Sequence, residues 1–121
     1  MTVIIDRRFC GPPESGNGGY VAGLLAERIA TTPTRPAVSV RLSSPPPLDR
    51  ALTLGGYGSL GLLQDSGRGI ATASPAPALQ GDLPEPVSLA MAQAAEAAYE
   101  GLNGHPFPTC FSCGTGREPG D

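Results

Sequence analysis

The clearest hydrophobic pattern in the chain predicts a short amphipathic helix that begins directly after Asn17-Gly18-Gly19. Four apolar residues recur at helical spacing and form one stripe: Val21, Leu24, Leu25 and Ile29. Alanine and glycine lie between them, so this helix can pack closely on a sheet. We expect the helix to end before Pro33, because a residue that precedes proline disfavours the helical conformation.

Strand patterns flank this helix. Residues 2–5 are β-branched and apolar, and together with Arg7–Phe9 they predict a first strand that ends at Cys10. Apolar and polar residues alternate over Ala37–Leu42, which predicts a half-buried strand. The prolines at 45–47 cannot donate to a strand ladder, so this strand must end or bend there.

Further strands are predicted in the middle of the chain. Residues 51–54 are interpreted as a resumption of the strand that the prolines interrupt. Residues 57–64 and 70–73 flank a turn-rich connection at 65–69, which predicts a β-hairpin. The order of strand, helix and then a meander of three strands predicts one α+β domain.

One more helix is predicted between two irregular stretches. Residues 74–86 hold four prolines among small residues and are typical of an extended linker. Ser88 is a suitable N-cap for a helix with one shared face: Met91, Ala95, Ala98, Tyr99 and Leu102. The predicted division is a core (residues 1–74), a proline-rich linker (75–86), a second helix (87–104) and an irregular, cysteine-containing tail (105–121) that is truncated.

Composition and charge argue against several classes of function. With 40% hydrophobic residues and a net charge of -3, the chain can fold despite its 17 glycines and 14 prolines. Its eight Lys and Arg residues are scattered, which argues against a nucleic-acid partner. No apolar run has the length of a membrane span, and the N-terminus lacks the layout of a signal peptide. The expectation is a cytoplasmic protein with reduced thiols, and the odd number of cysteines agrees with it.

Three sequence blocks resemble the hot-dog-fold proteins of the thioesterase superfamily. The first, GPPESGNGGYVAGLLA at residues 11–26, is similar to the central helix of that fold and the loop before it. The second, HPFPTCFSCGTGREPGD at residues 105–121, and the third, SSPPPL at residues 43–48, extend the resemblance to roughly half of the chain. These blocks indicate the superfamily and leave the substrate open.

The resemblance implies a hot-dog-like antiparallel sheet wrapped around one central helix, with a C-terminal helix added. It implies an acyl thioester, on coenzyme A or on an acyl carrier, and a hydrolysis that requires no cofactor. Relatives continue beyond a pair like Gly120-Asp121 into a second hot-dog half, so we expect a homodimer or pairing with such a half. The alternative function is a non-catalytic hot-dog module that binds an acyl ligand or dimerises.

The start of the first helix is the candidate catalytic site. Free amides of Gly18 and Gly19, at the positive end of the helix dipole, would stabilise a developing oxyanion, and Asn17 would orient water or substrate. Glu27 is the candidate general base, and Glu14 is the other carboxylate considered. The structural alternatives are a tight turn with Asn17 as its N-cap, and a solvated Glu27 on the helix surface.

Cys110 and Cys113 carry the strongest remaining chemical signal. C-x-x-C is the spacing by which two thiolates hold one side of a structural zinc ion. His105 offers a third ligand, and Cys10 would have to supply the fourth. A redox pair is a second interpretation, although the prolines before the motif argue against a thioredoxin-like helix start. In a third interpretation the cysteines only fill a tight, glycine-rich turn.

Overall fold

A computed structural model describes residues 1–118 and contains a five-stranded sheet and two α-helices. In chain order the elements are β1 (Thr2–Ile4), a 3-10 helix (Arg7–Phe9), α1 (Gly18–Ala26), β2 (Ala37–Leu42), β3 (Ala51–Tyr57), β4 (Leu60–Asp65), β5 (Arg68–Ala76), α2 (Leu89–Ala98) and a second 3-10 helix (Glu100–Leu102). The α+β class predicted from the sequence is therefore confirmed. The last three residues of the predicted tail lie outside the described residues.

All neighbouring strands of the sheet are antiparallel, in the order β1-β3-β4-β5-β2. The three consecutive strands β3, β4 and β5 form a meander, while β1 and β2 occupy opposite edges. Helix α1 lies in sequence between the two edge strands, so the chain crosses one face of the sheet to reach β2. This crossing places the start of α1 close to the N-terminal segment of the chain.

The hydrophobic core lies between α1 and the sheet face that the helix covers. The helix packs against β2, β4 and β5. Val21 and Leu25 of its predicted stripe are buried, and Leu24 and Ile29 are half-buried against the same core. Buried and exposed residues alternate at the start of strand β3, as in a strand with one face on the core: Leu52 and Leu54 are buried between exposed neighbours. The remaining buried members of the core are Ile5, Leu63, Ile70, Ala71 and Ala73.

The segment before α1 differs from the prediction. Strand β1 ends at Ile4, and Arg7–Phe9 is a 3-10 helix instead of a continuation of the strand. Asp6 caps this helix, since its side chain accepts a hydrogen bond from the Arg8 amide at 2.9 Å. A side chain that bonds to a nearby amide competes with the strand ladder, which explains why the strand stops.

Among the middle strands, β3 and β5 are longer than predicted, whereas β4 begins at Leu60 instead of Tyr57. Strand β3 is not a resumption of β2: the chain turns near Asp49, which has a φ of 55°, and β3 lies between β1 and β4 instead of beside β2. The predicted hairpin is confirmed as β4 and β5, joined at Ser66 and Gly67, which both have positive φ. Strand β5 also extends into the predicted linker, where residues 74–76 pair with β2 alone. The missing amide of Pro75 is tolerated at such a local edge.

Residues 77–100 lie on the outside of the molecule, and every one of them is exposed. Helix α2 begins where predicted, with the Ser88 side chain accepting a hydrogen bond from the Met91 amide at 3.2 Å. None of the residues of α2 is buried, so its predicted apolar face has no partner within residues 1–118. Neither α-helix of this described part is long and apolar enough to cross a membrane.

Candidate functional site

The N-terminus of α1 has the predicted N-cap and two free backbone donors. The side-chain oxygen of Asn17 accepts a hydrogen bond from the Tyr20 amide at 3.0 Å. Within residues 1–118, no atom accepts a hydrogen bond from the Gly18 or Gly19 amide. Gly18 is half-buried beside Leu42, whereas Gly19 is exposed. Two donors at the positive end of the helix dipole are thus accessible to an external acceptor.

The other end of the Asn17 side chain holds the C-terminal tail. Its amide nitrogen donates to the Ser112 hydroxyl at 3.0 Å and to the Cys110 sulfur at 3.6 Å. Both polar ends of this buried side chain therefore have partners inside the chain. The sequence pattern predicts Asn17 at the helix start but does not indicate its bonds to the tail, because the partners are more than ninety residues away.

The two candidate bases do not meet the free amides within this chain. Glu27 is exposed and occupies the C-cap of α1, the end opposite to Gly18. A helix of nine residues separates the two by about 13 Å along its axis. Glu14 is exposed too, and its carboxylate lies 3.9 Å from the Arg7 guanidinium.

An aromatic cluster joins the tail to α1 and to the first 3-10 helix. The Phe9 and Tyr20 rings stack with centroids 4.0 Å apart. The Phe111 ring meets both of them edge-on, at 4.9 Å from Phe9 and 6.0 Å from Tyr20. The backbone adds to this packing, since the Phe111 amide donates to the Cys10 carbonyl oxygen at 2.7 Å and the Cys10 thiol donates to the Thr109 carbonyl oxygen at 3.2 Å.

The structure brings Cys110 and Cys113 together. The Cys113 thiol donates to the Cys110 sulfur at 3.1 Å. Burial raises the pKa of Cys110, but hydrogen bonds from Cys113 and from the backbone and hydroxyl of Ser112 outweigh it and lower that pKa to about 6. The pKa of Cys113 is raised, first because its thiol donates to Cys110 and further by burial and by the charge on Cys110. At rest, the proton of the pair therefore lies on Cys113 and points toward the Cys110 sulfur.

His105 is held by its own backbone, as its Nδ1 accepts a hydrogen bond from the Phe107 amide at 2.9 Å. In the part of the chain that the structure describes, no three His, Cys, Asp or Glu side chains form a group that could hold a metal ion. The zinc site at His105, Cys110 and Cys113 therefore stays a prediction.

A cavity of about 460 Å³ lies beside the docked tail, and three arginines line it. Arg7 and Arg8 come from the first 3-10 helix, and Arg117 comes from the tail. Arg117 donates to the Arg8 carbonyl oxygen at 2.8 Å, and the Arg7 guanidinium bonds to Asp49 at 2.9 Å. The other lining residues include Asp6, Cys10 and Thr109. The sequence does not predict this site, because Arg8 and Arg117 are 109 positions apart and the adjacent Arg7-Arg8 pair is its only local signal.

Two arginines of this cavity, Arg8 and Arg117, each also cover an aromatic ring. The Arg8 guanidinium lies 4.8 Å from the centroid of Phe9, and that of Arg117 lies 5.7 Å from the centroid of Phe111. Such cation–π contacts orient a guanidinium without neutralising its charge. The cavity and the start of α1 are therefore connected through one aromatic cluster.

A second cavity, of about 360 Å³, lies at the opposite end of α1. Leu25 and Ile29 line it from the helix side, and Leu54 and Leu60 from the hairpin of β3 and β4. Gly55, Gly56 and Gly61 contribute no side chains, which keeps this space open, and its lining is mostly apolar apart from Arg28 and Ser59.

No protein-family model, curated protein or solved structure matches this chain.

Proposed function

We propose that this chain is a hot-dog-like domain that binds an acyl thioester of coenzyme A or of a phosphopantetheine carrier. The cavity lined by Arg7, Arg8 and Arg117 is the observation that carries this proposal. Support for the fold comes from the strand order β1-β3-β4-β5-β2, with one helix inserted between the two edge strands. In the proposed fold the sheet wraps around α1, and the three free cysteines suit a cytoplasmic location.

The charge of the cavity supports an anionic ligand group. Three guanidinium groups line the cavity, and two of them also face a carboxylate of the chain: Arg7 lies 2.9 Å from Asp49, and Arg8 lies 3.8 Å from Asp6. Guanidinium groups bind phosphate through paired hydrogen bonds, and both proposed carriers contain phosphate. A volume of about 460 Å³ is within the range of small-molecule sites.

The rest of α1 offers contacts to the thioester and to its acyl chain. In our proposal the Gly18 and Gly19 amides polarise the thioester carbonyl, since they are free donors at the helix N-terminus. The apolar cavity at the other end of the helix would take the acyl chain. An acyl thioester would thus lie along α1, with its phosphates at the arginines.

Binding is better supported than hydrolysis by this chain alone. Hydrolysis needs a base within hydrogen-bond reach of the attacking water, and Glu27 lies at the far end of α1. We therefore propose that any turnover depends on a carboxylate from a second copy or from a second hot-dog half. Such a partner would also cover part of α1.

Calorimetric titration with coenzyme A and with a non-hydrolysable acyl-CoA thioether tests the proposal. Arg8→Ala is expected to weaken binding by about ten- to a hundredfold, because a hydrogen bond between charged groups is lost. Arg68→Ala is the matched control, since Arg68 is an exposed arginine on β5 that lines neither cavity. Equal affinity of both variants, or no heat from the unsubstituted chain, would contradict the proposal. Thiol release from acyl-CoA esters would then separate binding from turnover.

A further inference from the structure

The two sulfur atoms of the C-x-x-C turn are close to bonding distance. They lie 3.1 Å apart, and a disulfide bond is about 2.05 Å long, so closure requires a movement of about 1 Å. We propose that Cys110 and Cys113 form a reversible disulfide by exchange with a low-molecular-weight disulfide. This inference concerns the tail alone and does not depend on the proposed binding of a thioester.

The turn that carries the pair is fixed by its backbone. The Cys110 amide donates to the Phe107 carbonyl oxygen at 3.0 Å, and the Gly114 amide donates to the Cys110 carbonyl oxygen at 2.9 Å. A side chain at position 114 would collide with the carbonyl oxygens of Pro108 and Cys110, so the turn requires glycine there. The docked Phe111 side chain, between the two cysteines, further limits their movement. The thiols are therefore preorganised for closure.

The two cysteines differ in exposure, and this difference determines which of them reacts first with the small disulfide. Cys113 is exposed, whereas Cys110 is only 4% exposed. A small disulfide can thus reach Cys113 but not Cys110. The Cys113 thiol already donates its hydrogen to Cys110, so the buried sulfur is positioned to take that proton as the exposed one attacks.

The exchange balances in two steps. Cys113, having passed its proton to Cys110, attacks the disulfide R–S–S–R, which breaks the S–S bond and forms Cys113–S–S–R and a first thiolate, RS⁻. That thiolate takes the proton from Cys110. The Cys110 sulfur then attacks the Cys113 sulfur and expels a second thiolate, which takes a proton from water. The cysteine pair is oxidised by two electrons, and the small disulfide is reduced to two thiols.

Oxidation of the pair would act on the start of α1 through Asn17. The Asn17 side chain donates to the Cys110 sulfur at 3.6 Å, and a disulfide sulfur is a weaker acceptor than a thiolate. The bond from Asn17 to the Ser112 hydroxyl does not involve sulfur and is retained. We expect the tail to stay docked, with a small loss of stability where it meets the helix.

Exposure of the full chain to oxidised glutathione, followed by peptide mass spectrometry, tests this proposal. The expected product links Cys110 to Cys113, retains no glutathione and leaves Cys10 as a free thiol. Cys110→Ser, or Cys110→Ala should the serine variant not fold, is expected to stop after the first step with glutathione on Cys113. Cys113→Ser is expected to react at least about tenfold more slowly, because only buried thiols remain. Arg68→Ala, at an exposed residue on β5 that lines neither cavity, is the control and should behave like the unsubstituted chain.

Three results would overturn the proposal. The first is a stable glutathione adduct on Cys113 in the unsubstituted chain, since the second step would then be absent. The second is a disulfide that includes Cys10. The third is one equivalent of zinc bound by the purified chain and lost in Cys113→Ser, because the pair would then be a metal site.

Discussion

Two segments that follow the sheet, residues 77–100 and residues 105–118, differ in how far they contact the core. Their sequences do not predict this difference. Residues 77–100 include a capped, regular helix, yet every residue of this segment is exposed. Residues 105–118 contain no helix or strand, yet their Cys110 is buried and their Phe111 ring packs on Phe9 and Tyr20. Regular secondary structure and attachment to the core are thus separate properties in this chain.

The comparison shows what anchors a segment to a small core. The interior backbone groups of helix α2 bond to one another within the helix, and nothing in residues 1–118 covers its apolar residues. The irregular tail must find external partners for its polar groups and finds them in Asn17, Cys10 and Arg8. A few specific contacts therefore attach the irregular tail to the core, whereas its apolar periodicity does not attach α2.

Limited proteolysis with chymotrypsin should give the largest difference between the two segments. Tyr99 is 64% exposed and Phe111 is 41% exposed, so both aromatic rings are partly accessible. We expect cleavage after Tyr99 to be at least about a hundredfold faster than after Phe111, because the second site requires the tail to undock. Urea-unfolded chain is the control and should be cut at both sites at similar rates. Equal rates in the native chain would mean that the tail is not docked.

Substitution of Asn17 tests the contacts that hold the tail. Asn17→Ala should lower the free energy of unfolding by about 2–3 kcal/mol, since it removes an N-cap and the bonds to Ser112 and Cys110. Asn17→Ser keeps a capping oxygen and should lower the free energy of unfolding by less than Asn17→Ala does. Asn103→Ala is the matched control, because Asn103 is exposed and should change stability by less than about 0.5 kcal/mol. Urea denaturation measures all three, and a loss no larger than that of the control would remove the role given to Asn17.

The smallest effect is expected in α2. Met91→Ala should change the free energy of unfolding by less than about 0.5 kcal/mol, because Met91 is 61% exposed. Leu63→Ala in the core should cost about 2–5 kcal/mol by comparison, since Leu63 is fully buried. Thermal unfolding at two protein concentrations checks this prediction. A larger loss for Met91→Ala that grows with concentration would show that α2 packs against a second copy.

The hydrophobic pattern and the capping residues predicted those elements whose interactions join residues close in sequence. Strand β2 matches its prediction at both ends, because Val38 and Val40 alternate with polar residues and prolines follow. The caps at Asn17 and Ser88 were also predicted, since a cap bonds to an amide only three residues away. The 3-10 helix at Arg7–Phe9 was missed because the capping role of Asp6 was overlooked.

Features that depend on distant partners could not be predicted in this way. Strand β5 continues to Ala76 because β2 pairs with it there, and the composition of residues 74–76 alone favours a linker. The arginine cavity forms only when Arg117 reaches Arg8. The apolar periodicity of α2 does not show that this helix is exposed. The sequence therefore located the candidate helix start and the cysteine pair, while the fold connects them through the two ends of the Asn17 side chain.

The docked tail behaves as a peptide ligand on a tether. Residues 77–104 connect its binding surface at Cys10 and Asn17 to the end of β5, so the tail is present at a high effective concentration whatever its intrinsic affinity. Lengthening the tether would lower this concentration only slowly, because loop-closure entropy grows with the logarithm of length. Cutting the tether would turn docking into a bimolecular equilibrium, with an affinity that can be measured by titrating the released peptide.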